Sequence, residues 1–374
     1  MDSNFIVMDY TSIVMDYNSV VLIKSYLRDH HIRRMCPFRN FGLVSQSVLC
    51  SRIPLREILS RRYHIWHSRV AGCRINVDNP LFWLFCGGNL EELELVYNVV
   101  HLTADDFMNV DGDLLWHLAS SGYVHVLQFL WSDVGLTIDD FRANNNSALR
   151  GAAEYGHCNV LEFLWTTIGL TIGDFRSKGN GALYRAAFNG HVHVLEFLWT
   201  VAGLTIDDFR CRGNRTLLNA GFYGHDHVLQ FLWSVVGLTI NDFRTRANDV
   251  LRTSACRGYV RILEFLWSDV GLTIDDFRAN NNRALRGAAE SGRIMVLEFL
   301  YHVVGLTIDD FRARDNWALR NAARNGYKVV LEFLWTVVKL TSVDFGADDN
   351  CALRWATNNE YTDILEFLRT VVKI

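Results

Sequence analysis

The sequence predicts an all-α repeat protein, with about nine two-helix units stacked behind a small helical N-terminal domain. Three observations carry the prediction. A Leu-x-Phe-Leu segment, usually closed by Trp, begins at Leu127, Leu161, Leu195, Leu229, Leu263, Leu297, Leu331 and Leu365, always 34 residues apart, and a worn copy at Leu93 fits the same grid. Each period holds two stretches of helix-spaced apolar residues, and a glycine such as Gly156 separates them. A period between about 20 and 50 residues marks units that cannot bury their apolar face alone and do so against their neighbours.

Within the reference unit Asn146–Arg176, the piece ALRGAAEYGH sets the small Ala152 and Ala153 one turn after Leu149 and stops at Gly156, which predicts a short helix with a thin inner side. Val160, Leu161, Phe163, Leu164 and Trp165 then crowd apolar residues around a second helix and leave Glu162 polar. The linker GLTIDDFR follows. Thr137 and Asp140, like Thr205 and Asp208 or Thr273 and Asp276, stand three apart, the spacing of a capping box, so a further short helix is expected there. Asn146, Asn180, Asn214, Asn248, Asn282, Asn316 and Asn350 recur just before the first helix and read as its N-cap, since asparagine caps well and tolerates left-handed backbone.

The arginines closing each linker, Arg142, Arg176, Arg210, Arg244, Arg278 and Arg312, are expected to ladder with acids of an adjoining unit as exposed pairs of about 0–1 kcal/mol each. The Trp stripe at Trp131, Trp165, Trp199, Trp233, Trp267 and Trp335 reads as packing between second helices rather than as a platform for bases. Repeated acid pairs such as Asp139 and Asp140 recur with the frame, so they read as scaffold and not as a cation site. His157, His191 and His225 sit one per unit, too far apart for a shared metal.

Half the residues are apolar and 21% are charged, enough core material for a folded chain. Residues 1–78 carry eleven Lys and Arg against six Asp and Glu, and the remainder 26 against 35. An acidic array argues against a general nucleic-acid footprint, leaving that partner a distant alternative. Eight cysteines without a CxxC pair read as buried thiols of a reducing compartment. No apolar run is long enough for a membrane span and the N-terminus lacks a signal-peptide pattern, so an intracellular, cytoplasmic protein is expected. No nucleophile with a base, phosphate-cradling glycine loop or metal spacing stands out, which points away from an enzyme and from any cofactor.

All three prolines, Pro37, Pro54 and Pro80, lie at or before the start of the array, and residues 1–78 keep no 34-residue grid. IVMDY is duplicated at Ile6 and Ile13, and three short helices are expected from Ser19, Asn40 and Leu55 onward. A helix ending in Tyr26 and Leu27, a basic connector and a helix with Leu43, Val44, Ser45 and Gln46 resemble an F-box, although the usual Leu-Pro opening is absent. That resemblance implies docking on the Skp-type adaptor of a cullin RING ubiquitin ligase through Val21, Leu22, Tyr26, Leu27, Leu43 and Val44. A plain helical cap for the stack is the alternative. The apolar Leu81, Phe82, Trp83, Leu84 and Phe85 call for such a cover over the first unit.

From residue 79 onward the pattern resembles the ankyrin repeat. The correspondence runs through Ala148, Leu149 and Arg150, then Ala152, Ala153, Gly156 and His157, then Val160, Leu161 and Leu164, and recurs over about 300 residues. The 34-residue tetratricopeptide repeat would place its small residues late in the second helix and end in proline, and neither feature is found. The Thr of the ankyrin opening is missing here, and the linker is one residue longer than an ankyrin finger. The linkers LTIDDFR and NNNxALR look like those of ankyrin proteins abundant in large DNA viruses of amoebae. SDVGLTIDDFRANNN even recurs letter for letter at Ser132 and Ser268, so some units read as spacers.

The resemblance implies a monomeric scaffold that binds a protein partner, from the host if the viral likeness holds, in a concave groove lined by the variable first-helix positions. In this sequence those are Glu154, Tyr155, Phe188, Asn189, Arg215, Phe222, Tyr223, Arg257, Arg283, Glu290, Trp317 and Arg324, with aromatic and Arg types that commonly anchor protein contacts.

Overall fold

The computed structural model describes Gly88 and residues 90–100, 103–108 and 113–374, and every regular element among them is helical. The chain divides into two compact units, Met1–Ser177 and Lys178–Ile374. The division falls inside the repeat array, and the expected boundary near residue 78 lies outside the described residues.

In the first unit the hairpin Leu114–Ser120 and Val124–Ser132 is followed by Ile138–Tyr155 and Cys158–Thr166, with Leu90–Val100 and Ala104–Met108 before them. Leu114–Ser120 packs on Ile138–Tyr155, and Val124–Ser132 packs on Cys158–Thr166. First helices therefore meet first helices, and second helices meet second helices. The second unit repeats this order. Its first helices Ile206–Tyr223, Thr245–Arg257, Ile274–Glu290, Ile308–Arg324 and Ala347–Asn358 pack each on the next, as do its second helices Val192–Thr200, Asp226–Ser234, Val260–Ser268, Ile294–His302 and Lys328–Thr336.

The 34-residue pattern places the core as its apolar spacing requires. Leu149, Ala152 and Ala153 are buried on the first helix, and Val160, Leu161 and Leu164 on the second. The largest fully buried side chain of each period lies in the linker, outside the two apolar stretches. It is the Phe of the linker: Phe141, Phe175, Phe209, Phe243, Phe277, Phe311 and Phe345 are all at most 1% exposed. Each is carried by a short helix opened by a capping box; in Ile138–Tyr155, Ile206–Tyr223, Ile274–Glu290 and Ile308–Arg324 this short helix and the first helix proper are parted by a left-handed turn inside the span. Thr137 Oγ1 accepts from the Asp140 amide at 3.4 Å, and Asp140 Oδ2 accepts from the Thr137 amide at 2.7 Å. The same box opens at Thr171, Thr205, Thr239, Thr273, Thr307 and Thr341.

The Trp stripe is corrected by the geometry. These rings are half-buried rather than central, and each lies edge-on across the linker Phe ten residues on, Trp165 to Phe175 at 5.5 Å and Trp199 to Phe209 at 5.7 Å. The penultimate residue of a short second helix reaches the linker, and the place between second helices is already filled by Leu and Phe. The cysteines are corrected too. Among the described residues Cys351 is buried, whereas Cys158, Cys211 and Cys256 are half-buried.

The recurring asparagine is not a side-chain cap. Asn146, at φ 57 and ψ 51, is the third of three consecutive left-handed residues that begin at Asn144, and the turn recurs at Lys178, Arg212, Arg246, Asn280, Arg314 and Asp348. Its Oδ1 has no hydrogen-bond partner, while its Nδ2 donates to the Asp174 carbonyl at 3.2 Å. Left-handed backbone costs an L-residue roughly 1–2 kcal/mol. Asn146 makes its cross-repeat bond from that conformation. The arginine of the ALR pattern braces the turn: Arg286 Nε donates to Asn281 O at 2.8 Å and Arg354 Nη2 to Asp348 O at 3.0 Å.

Two glycine positions are steric requirements. Gly156 closes the first helix at φ 84, in the left-handed region. A Cβ on Gly122 would lie 2.6 Å from Nδ1 of His157, whose Nε2 stands 2.9 Å from the Ser120 carbonyl, a bond that needs the proton on Nε2.

Candidate interaction surface

The polar side chains divide, by what they touch, into a frame and a surface. At the centre of the frame is the last acid of each capping box. Asp242 Oδ2 accepts from the Thr239 amide at 2.8 Å, and Asp242 takes a two-pronged bond from Arg210 Nε and Nη2 at 2.9 Å each and a bond from Asn214 Nδ2 at 3.3 Å. Asp174, Asp276, Asp310 and Asp344 take the equivalent bonds from Arg142, Arg244, Arg278 and Arg312. The expected exposed ladder is therefore corrected: these arginines grip carboxylates whose side chains are only about a tenth exposed. Burial pushes the Asp242 pKa up, but Arg210, Thr239 and Asn214 outweigh it and hold the carboxyl down at about 2.

The variable first-helix positions behave differently. In the first unit Tyr155 is 51% exposed beside half-buried Glu154. In the second, Phe188, Asn189, Arg215, Phe222, Tyr223, Arg257, Arg283, Glu290 and Arg324 are exposed, and Trp317 is half-buried. Their aromatic rings are in contact: Phe188 and Tyr223 have centroids 4.0 Å apart, and Phe222 and Tyr223 4.9 Å. Guanidinium groups lie on several rings. Arg257 is 3.6 Å from the Phe222 centroid, Arg215 4.8 Å from Tyr184, and Arg324 4.9 Å from Trp355. Near the end of the array Trp317, Arg324, Arg354 and Trp355 line an open cleft of about 410 Å³, where Arg320 is held by Asp348 at 2.8 Å. Tyr184 and Trp355, which the sequence shows only as aromatic departures from the Arg150 and Gly151 positions of the pattern, join this surface.

Charge is segregated within the second unit. Its first-helix segments, 178–189, 212–223, 246–257, 280–290, 314–324 and 348–358, hold thirteen Lys and Arg against five Asp and Glu, whereas the rest of the unit holds ten against seventeen. The acidity of the array as a whole conceals a basic face. Burial, then the neighbouring Arg314 and Arg283, push the Arg286 pKa below its ordinary value.

Among the described residues no group of three or more His, Cys, Asp or Glu is placed to hold a metal ion, and no helix is long and apolar enough to cross a membrane. Val21, Leu22, Tyr26, Leu27, Leu43 and Val44 lie outside the described residues. No protein-family model matches this chain, and no curated protein does.

Proposed function

We infer that this chain is a non-enzymatic interaction scaffold of the ankyrin-repeat type, which holds a protein partner on the face formed by the first helices of its hairpins. One observation carries the reading. The apolar residues, asparagines, capping-box acids and linker arginines such as Arg210 that recur every 34 positions are buried or bonded to the next hairpin, whereas variable first-helix positions such as Tyr155, Phe222, Tyr223 and Arg257 are exposed. Selection for stability accounts for the first set, and the second is the composition of contact hot spots. The partner is an intracellular protein, from the host cell if the chain is viral.

Affinity capture from host lysate tests this with two variants of the full chain. Phe188→Ala with Phe222→Ala and Tyr223→Ala removes captured partners, whereas Val201→Ala with Val235→Ala and Val303→Ala, at exposed residues just after second helices, retains them. The opposite pattern contradicts the assignment. The ligase version adds residues 1–78 as an F-box, and failure of the full chain to bind a Skp-type adaptor removes that addition alone.

A further inference from the structure

Eleven of the nineteen arginines of the second unit fall into three groups by what their guanidinium groups do. Arg210, Arg244, Arg278 and Arg312 are bound to the capping-box acids. Arg286, Arg320 and Arg354 brace the left-handed turns through backbone carbonyls. A third group, Arg215, Arg257, Arg283 and Arg324, is exposed, with no carboxylate within ion-pair distance among the described residues. They lie one each on the successive first helices Ile206–Tyr223, Thr245–Arg257, Ile274–Glu290 and Ile308–Arg324. Three of the four rest on aromatic rings, which fixes part of the side chain in advance and lowers the ordering entropy of binding.

We propose that this face docks an acidic protein segment, whose carboxylates are taken by Arg215, Arg257, Arg283 and Arg324. The assignment rests on the reading of the first-helix face as a contact surface and names the chemistry of its partner. The free guanidinium forks match carboxylates in shape as well as charge. Single-stranded nucleic acid would answer to the same charge, but it relies on open aromatic faces on which bases stack. Here the rings of Tyr184, Phe222 and Trp355 are already covered by guanidinium groups of the chain itself. Packed helices stand about 8–10 Å apart, so four of them span about 30 Å. An extended segment needs about nine residues or more to cross that distance at about 3.3–3.6 Å each.

The test uses the full chain and a labelled twelve-residue peptide alternating Glu with Ser and Leu, compared by fluorescence anisotropy with its Gln counterpart and with a twelve-nucleotide poly-dT strand. The Glu peptide binds at least tenfold tighter than either, weakens as salt rises, and loses at least tenfold in affinity in the variant Arg257→Gln with Arg283→Gln and Arg324→Gln. Circular dichroism checks that this variant melts like the parent. Equal or tighter binding of the oligonucleotide overturns the proposal, as does a Glu peptide that binds no better than its Gln counterpart. A chain that dimerises at micromolar concentration and becomes monomeric with the three substitutions also overturns it, since the occupant is then a second copy. Failure of the peptide while the face still captures lysate protein at high salt removes the acidic assignment and leaves the contact surface standing.

Discussion

At the scale of single residues, one aspartate per repeat does more than its place in a capping motif requires. Asp242 closes the box with Thr239 and also receives Arg210 and Asn214 from the preceding hairpin. A carboxylate with that many donors is stabilised in its charged form, which ties folding to pH. Its pKa is about 2 in the folded chain and about 3.9 in an unfolded one. A lowered folded value contributes stability that is complete above the unfolded pKa and is lost as pH falls from about 4 to about 2, on the order of 2 kcal/mol for this group. The carboxyls of Asp174, Asp276, Asp310 and Asp344 are also lowered, so the effects add in the same direction. Urea midpoints at pH 7 and pH 2.5 check this. The midpoint falls steeply with acidification, and Asp242→Asn is less stable at pH 7 by about 2 kcal/mol with a shallower pH slope.

At the scale of the element, the left-handed turn before each first helix is the least ordinary piece of backbone. The sequence shows its asparagine plainly, and asparagine's tolerance of left-handed backbone marks the position as special. The bond to the next hairpin was not legible, because a distance of 28 residues in sequence says nothing of contact without the packing. The middle position of the turn is Gly179 in one repeat, Gly213 in the next and Ala247 in the one after, and Ala247 is held at φ 58. Glycine adopts that region without a Cβ penalty. Ala247→Gly is therefore expected to stabilise the chain by about 1 kcal/mol, measured as a raised urea midpoint. An equal loss would show that the turn is unstrained. The capping-box helices, by contrast, were readable from the Thr–Asp spacing alone, since both partners lie within one turn.

At the scale of the whole molecule, repetition told frame from surface better than composition did. The all-α class and the two-helix period follow from spacing that any reader of the sequence can count. Net charge misled, because thirteen basic residues on one side of the second unit are offset by acids on its linkers and second helices, and a sum over the chain cannot see sides. Residue type alone also fails for arginine. Arg278 and Arg283 stand five apart on Ile274–Glu290; the first holds Asp310 by two bonds of 2.9 Å, and the second is exposed and free of any such partner among the described residues. The division into frame and contact surface is tested most directly by urea unfolding of two matched variants, Arg278→Gln and Arg283→Gln. A clear drop in midpoint is expected for the first and none beyond error for the second; equal drops, or a larger one at Arg283, would contradict that division.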